Sequence, residues 1–208
     1  MKQSRFKFFA SQLLGALALI STLPAQAQLY SAIAPANSAF IRVYNDSANA
    51  GIPVQIGAAT QPTLTPYSAS NYLFLPPGDV MVKVGPHQQL IPLVANHYYT
   101  AVTSSSGLKV LELSGVLNRL KSMVAIFNLM PATTLSLKTA DGKATVFEGV
   151  GPVKAMQREI NPLKLTLAVF SEGNLVGATP PVALDRGKVF SLFVSGSLAS
   201  PVMVWNDD

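Results

Sequence analysis

Ala39-Phe40-Ile41-Arg42-Val43-Tyr44-Asn45 is answered further along the chain by Ser122-Met123-Val124-Ala125-Ile126-Phe127-Asn128. In the first stretch Ile41 and Val43 alternate with Arg42 and Tyr44; in the second Val124 and Ile126 alternate with Ala125 and Phe127. Alternation at period two is the signature of a strand that buries one face. Two more blocks repeat in the same order. Residues 77–84 (Pro-Gly-Asp-Val-Met-Val-Lys-Val) correspond to 162–169 (Pro-Leu-Lys-Leu-Thr-Leu-Ala-Val), and residues 93–99 (Leu-Val-Ala-Asn-His-Tyr-Tyr) to 184–190 (Leu-Asp-Arg-Gly-Lys-Val-Phe). The offsets of about 83 to 91 residues exceed the 20–50 residues of a solenoid unit and suit a small domain that folds by itself. The chain therefore reads as two copies of one β-domain.

Turn signals separate the strands: Pro76-Pro77-Gly78-Asp79, Asp141-Gly142 and Glu172-Gly173-Asn174. Asp141-Gly142 predicts a tight hairpin, because both central positions tolerate positive φ. Short strands at intervals of about 8 to 12 residues predict sandwiches. The expected fold class is all-β, with two tandem β-sandwich domains joined by a short linker after a cleaved N-terminal signal peptide. The expected bounds are a signal peptide over 1–27, a first sandwich over 28–114, a linker over 115–121 and a second sandwich over 122–208. The linker is too short and apolar to be a free tether, so the sandwiches are expected to hold a limited range of orientations.

The signal is read from Lys2, Arg5 and Lys7, the apolar run Phe8 to Leu23, and the small-x-small site Ala25-Gln26-Ala27. Export to the periplasm follows. Removing that segment reduces 15 basic and 10 acidic residues to 12 against 10, which gives little grip on a polyanionic nucleic acid. No nucleic-acid partner is expected. The chain has no cysteine, so disulfides and thiolate metal sites are excluded. From Gln28 to Glu112 only six residues carry charge, about 7%, against roughly 25% in typical soluble domains. Such a surface suits partner contact or an ordinary uncharged exported domain.

Catalytic patterns are missing. There is no Gly-x-Ser-x-Gly elbow, no phosphate loop and no His-Glu-x-x-His helix. His87 and His97 are the two histidines; the first reads as a turn residue and the second as a strand-entry residue held by a backbone group. No enzyme activity, metal or cofactor is expected. Lys138, Lys143, Lys154, Arg158 and Lys164 could converge on a mildly basic patch or lie scattered as solvated strand-end residues. Tyr72, Tyr98, Tyr99 and Trp205 could offer stacking platforms or fill cores.

Several strings go further: Leu29-Tyr30, Phe40 to Asn45, Phe74-Leu75-Pro76, His97-Tyr98-Tyr99-Thr100, Leu135 to Lys143, Arg158 to Lys164 and Ser200-Pro201-Val202. In them the sequence resembles the AlgF family of alginate O-acetylation proteins. The resemblance implies two β-sandwich domains and a periplasmic role in acetylating mannuronate residues of alginate. It also implies an adaptor lacking the transferase nucleophile. The partners it implies are periplasmic O-acetyltransferases and a membrane-bound acyl transferase of the same complex, with the polysaccharide as a further one. The acidic ending Trp205-Asn206-Asp207-Asp208 departs from the family's basic ending, which keeps open cellulose or another exopolysaccharide as the acetylated polymer. Two other readings stay open, a carbohydrate-binding module presenting the polymer and a covalent acetyl carrier. The candidate partner- or polymer-binding residues are Arg42, Tyr44, Tyr98 and Tyr99 in the first unit and Lys138, Lys143, Arg158 and Asn161 in the second.

Overall fold

The computed structural model describes residues 34–48, 51–105, 107–115 and 118–207. The expected signal peptide lies outside the described residues, as does the middle of the expected linker. In chain order the first nine strands are β1 (Ala39–Asn45), β2 (Ile52–Ile56), β3 (Ala59–Leu64), β4 (Ser68–Ala69), β5 (Leu73–Leu75), β6 (Gly78–Val84), β7 (His87–Leu93), β8 (His97–Ser104) and β9 (Gly107–Ser114). They form two sheets, β4-β1-β8-β9 with β5 also on β1, and β3-β2-β6-β7. The next ten are β10 (Ser122–Asn128), β11 (Leu135–Thr139), β12 (Thr145–Val150), β13 (Lys154–Ile160), β14 (Lys164–Leu165), β15 (Leu167–Ser171), β16 (Asn174–Ala178), β17 (Val182–Ala183), β18 (Val189–Ser197) and β19 (Ser200–Asp207). Their sheets run β13-β10-β18-β19 and β12-β11-β15-β16, with β14 and β17 as a separate pair. Two tandem all-β sandwiches are therefore present, as the repeat predicts.

The repeat extends to individual hydrogen bonds. β1 pairs with β8 in parallel, Phe40 opposite Tyr98; β10 pairs with β18 in parallel, Met123 opposite Val189. These are the positions the sequence blocks match. Before β8, Asn96 takes φ 62° and its N–H donates to Ser38 O at 2.9 Å. Before β18, Gly187 takes φ 70° and its N–H donates to Lys121 O at 2.8 Å. Glycine and asparagine are the residues that enter this left-handed region most cheaply. At the far end of the first strand, Asn45 Nδ2 donates to Leu64 O and Thr65 O. Its counterpart Asn128 Nδ2 donates to Thr133 O, Val150 O and Gly151 O. A buried side-chain amide closes each sandwich at the same corner.

One turn differs from its reading. The tight hairpin falls at Glu172-Gly173, whose φ values are 50° and 83°, between the paired Ser171 and Asn174. At Asp141-Gly142 only the glycine has positive φ, 71°, and residues 140–144 form a longer loop between β11 and β12. There Thr139 Oγ1 donates to Asp141 Oδ1, which also accepts from the Lys143 N–H. Those side-chain bonds act beside two backbone bonds, Gly142 N–H to Thr139 O and Thr139 N–H to Ala144 O, each at 2.8 Å.

Each sandwich has its own core. Ile41, Val43, Val54, Ile56, Val82 and Val84 fill the first; Val124, Ile126, Leu135, Leu137, Leu167 and Val169 fill the second. A third apolar cluster joins them. It holds Tyr44, Tyr98, Val102 and Leu113 from the first sandwich and Met123, Ala125, Phe127, Val189 and Phe193 from the second. The β1 and β10 sheets therefore pack face to face, making four layers in all. β10 is buried at all seven positions, because one parity faces its own core and the other faces the join.

Candidate partner-binding surface

Burial relocates the first-unit candidates. Arg42 and Tyr44 are fully buried, and Tyr98 nearly so. They belong to the join rather than to a surface that a partner could reach, which corrects the expectation of partner contact. The Arg42 guanidinium donates from Nη2 to Ser191 Oγ of the second sandwich at 2.6 Å and from Nε to Thr100 Oγ1 at 3.2 Å. Its Cζ lies 4.2 Å from the Tyr72 ring centroid, 5.0 Å from Phe193 and 5.4 Å from Phe127. A planar, weakly hydrated cation is suited to such an aromatic setting. Tyr44 stacks on Phe193 at 3.9 Å, and Phe193 stacks on Phe127 at 4.7 Å. Tyr98 stacks on Phe40 at 4.6 Å. Its phenol is pushed up to about 12 by burial, with the Tyr72 phenol beside it as the lesser cause.

Tyr99 belongs to the first core, with its hydroxyl reaching the rim. The Val94 N–H donates to Tyr99 Oη, and that hydroxyl donates to Glu112 Oε1 at 3.3 Å. His97 Nδ1 pairs with the same carboxylate. Burial raises the Tyr99 phenol most, partly offset by the Val94 bond. The Glu112 side chain is 49% exposed, so solvent screens the pair and its net worth is small. Glu112→Gln is expected to cost no more than about 1 kcal/mol in chemical unfolding; a loss of several would make the trio a structural anchor.

The second-unit candidates lie nearer the surface, and three of them gather around Thr145, which pairs with Lys138 in register, accepts from Arg158 and follows Lys143 by two residues. Lys138 is on β11, 3.9 Å from Glu148 and 5.8 Å from the Phe170 centroid. Lys143 lies in the 140–144 loop, 3.5 Å from Asp141. Arg158, on β13, donates to the Thr145 and Val146 carbonyls, and Asn161 is exposed just beyond that strand. An open cleft of about 410 Å³ is lined by Thr139, Asp141, Lys143, Leu165 and Thr166 among others. Asp141 is held below the usual carboxylate range, chiefly by the Thr139 hydroxyl and then by the Lys143 N–H. The cleft's main polar groups thus already bond one another.

With the inner faces consumed by the join, each sandwich presents the outer face of its other sheet. On the first, strand register lines up Thr60, Gln55, Lys83 and Gln88 across all four strands. Beside that row Met81 faces Leu90, 37% and 53% exposed. On the second, register aligns Ser136, Phe170 and Leu175, and Leu175 is 63% exposed. Ser136 Oγ donates to Glu148, which places a Lys138–Glu148 pair at the edge of an aromatic centre. Phe170 and Leu175 escaped notice in the sequence. The available signal was parity: Phe170 falls opposite the core-facing Leu167 and Val169.

Comparison with known proteins places this architecture. The profile of the family described as "Alginate O-acetyl transferase AlgF" matches residues 12–191. The alginate biosynthesis protein AlgF of Pseudomonas fluorescens is 39% identical over 187 residues, which is 89% of this chain and 85% of that protein. The protein of the same name from Pseudomonas aeruginosa is 38% identical over 178 residues, 85% of this chain and 82% of that one. The solved C-terminal domain of AlgF from P. aeruginosa aligns with 43% identity over 43% of this chain and 99% of that domain, with a TM-score of 0.39. Its N-terminal domain aligns with 32% identity over 40% of this chain and all of that domain, with a TM-score of 0.35. By profile and by identity over most of both chains, this protein belongs to the AlgF family.

Proposed function

We propose that the chain serves alginate O-acetylation in the periplasm as a non-catalytic adaptor, carrying one acetylation partner on each outer sheet. The observation that supports this most is the four-layer stack. Packed sheets lie about 10 Å apart, so three gaps set the two outer faces about 30 Å from one another. Two partners bound there would not compete for space. The faces also differ chemically, amide and hydroxyl around one lysine on the first and an aromatic centre with a Lys–Glu pair on the second. Unlike faces select unlike partners.

The partners are the periplasmic O-acetyltransferases and the membrane-bound acyl transferase of the complex. Leu90→Glu and Leu175→Glu each place a charge on one outer face without touching a core. Each variant should weaken one partner about tenfold or more and leave the other unchanged. Polymer should still be made in cells carrying either variant, with its acetyl content reduced. Loss of both partners from one substitution, or of neither from both, would refute the two-face arrangement. Salt-sensitive binding of purified polymer by the isolated chain, unaffected by either variant, would instead favour a polymer-presenting module.

A further inference from the structure

Three oxygen-bearing side chains meet at one rim of the join, where β1 and β18 end. Tyr44 Oη and Ser195 Oγ are both buried, and neither has a hydrogen-bond partner among the described residues. Asp46 follows β1 directly and is fixed by its N–H, which donates to Thr103 O at 2.9 Å. The Ser195 hydroxyl approaches both Tyr44 and Asp46 as a hydrogen-bonding neighbour that lowers the pKa of each, without reaching full hydrogen-bond geometry with either. Tyr44 and Asp46 come from the first sandwich and Ser195 from the second. The Tyr44 ring is stacked on Phe193, two residues before Ser195, so Phe193 and Ser195 share the strand face that meets Tyr44.

A buried hydroxyl without a partner is unfavourable enough that native structures avoid it. Two in one place, facing each other across the join, call for a third group that bonds both. We propose that Tyr44 Oη, Ser195 Oγ and the Asp46 carboxyl group hold a single internal water that bridges the two sandwiches. Internal waters typically take about three bonds from polar groups, and three are available here. The water accepts from the two hydroxyls and donates to the carboxyl oxygen. A metal ion fits less well, because one carboxylate and two neutral hydroxyls supply too little charge and too few ligands. No group of three or more His, Cys, Asp or Glu able to hold a metal exists among the described residues.

The same geometry links the site to protons. Burial raises the Asp46 carboxyl above its ordinary value of 3.8, and Ser195 partly opposes the rise. The titratable group facing it is Tyr44, on the strand that Asp46 follows, and Tyr44 is in turn faced by Tyr67 from the loop before β4. Burial and the nearby Asp46 push the Tyr44 phenol upward, so it stays neutral. A carboxyl group raised by folding favours the folded state when protonated. Its contribution is fully present below 3.8 and is lost as pH rises through the raised value.

Two measurements on the full chain test this. A high-resolution crystal structure should show one water within about 3.2 Å of both hydroxyls; a direct Tyr44–Ser195 bond with no water would overturn the bridge. Melting temperature should rise as pH falls through the raised value toward 3.8, and Asp46→Asn should flatten that slope. An unchanged slope in Asp46→Asn would remove Asp46 from the site. Ser195→Ala, which deletes one oxygen and keeps the packing, should displace the water in its own crystal structure. Retention of the water with full occupancy would show that Ser195 is not a ligand.

Discussion

Arg42→Ala is expected to lower the unfolding free energy by about 3–5 kcal/mol and to separate the unfolding of the two sandwiches. The substitution removes the hydrogen bonds to Thr100 and, across the join, to Ser191. It also empties the space between Tyr72, Phe127 and Phe193. Removing a large buried side chain costs both its transfer energy and the cavity left behind. The Ser191 and Thr100 hydroxyls would then lose their charged donor. Trp205, the chain's one tryptophan, packs against the second core, so its fluorescence reports that sandwich while circular dichroism reports both. In the parent chain the two denaturation curves should coincide. In the variant they should part. Coincident curves and a loss under about 1 kcal/mol would mean that the apolar join suffices without the cation. Arg42→Met should cost less than Arg42→Ala, because it keeps most of the volume and leaves a smaller cavity. Arg42→Lys should cost more than Arg42→Met, because an ammonium is a strongly hydrated point charge without the planar fork.

The second large effect lies at the matched asparagines. Asn128→Ala is expected to cost about 2–4 kcal/mol. The lost amide serves three carbonyls at 2.7, 2.9 and 2.9 Å, and its Oδ1 accepts from the Met130 N–H at 3.1 Å. Deleting it leaves several backbone groups buried with nothing to bond. Asn45→Ala should cost about half as much, near 1–2 kcal/mol, since Asn45 serves two carbonyls at 3.4 and 3.0 Å and its Oδ1 has no partner among the described residues. Chemical denaturation of both variants measures the ratio. Equal losses, or a larger one at Asn45, would show that the corner's cost is set by something other than these bonds.

Strand Ser122–Asn128 shows how much could be read in advance. It is apolar at nearly every position, and a strand without a polar parity is one covered on both sides. The same inference was available for Ala39–Asn45, where Arg42 is the lone charge. It was obscured because a strand arginine ordinarily faces water. At Arg42 a ring of aromatic side chains and two hydroxyls takes the place of water, and none of those partners is adjacent in sequence. The outer faces were harder still. Alternation identifies Lys138 and Phe170 as outward, but only the pairing of β11 with β15 brings them to one face.

By itself the sequence determined the all-β class, the doubled domain, the strand positions and the family. These follow from short-range patterns: period two, turn residues, and strings that recur in the same order. Only the tertiary structure decided what covers the second face of β1 and β10. Alternation states that a strand has two faces; it cannot say whether the second meets water, a partner or the other half of the same chain. Arg42 meets Ser191 across 149 residues, and a contact that distant is set by how two finished sheets fit together rather than by any local preference of the residues that make it.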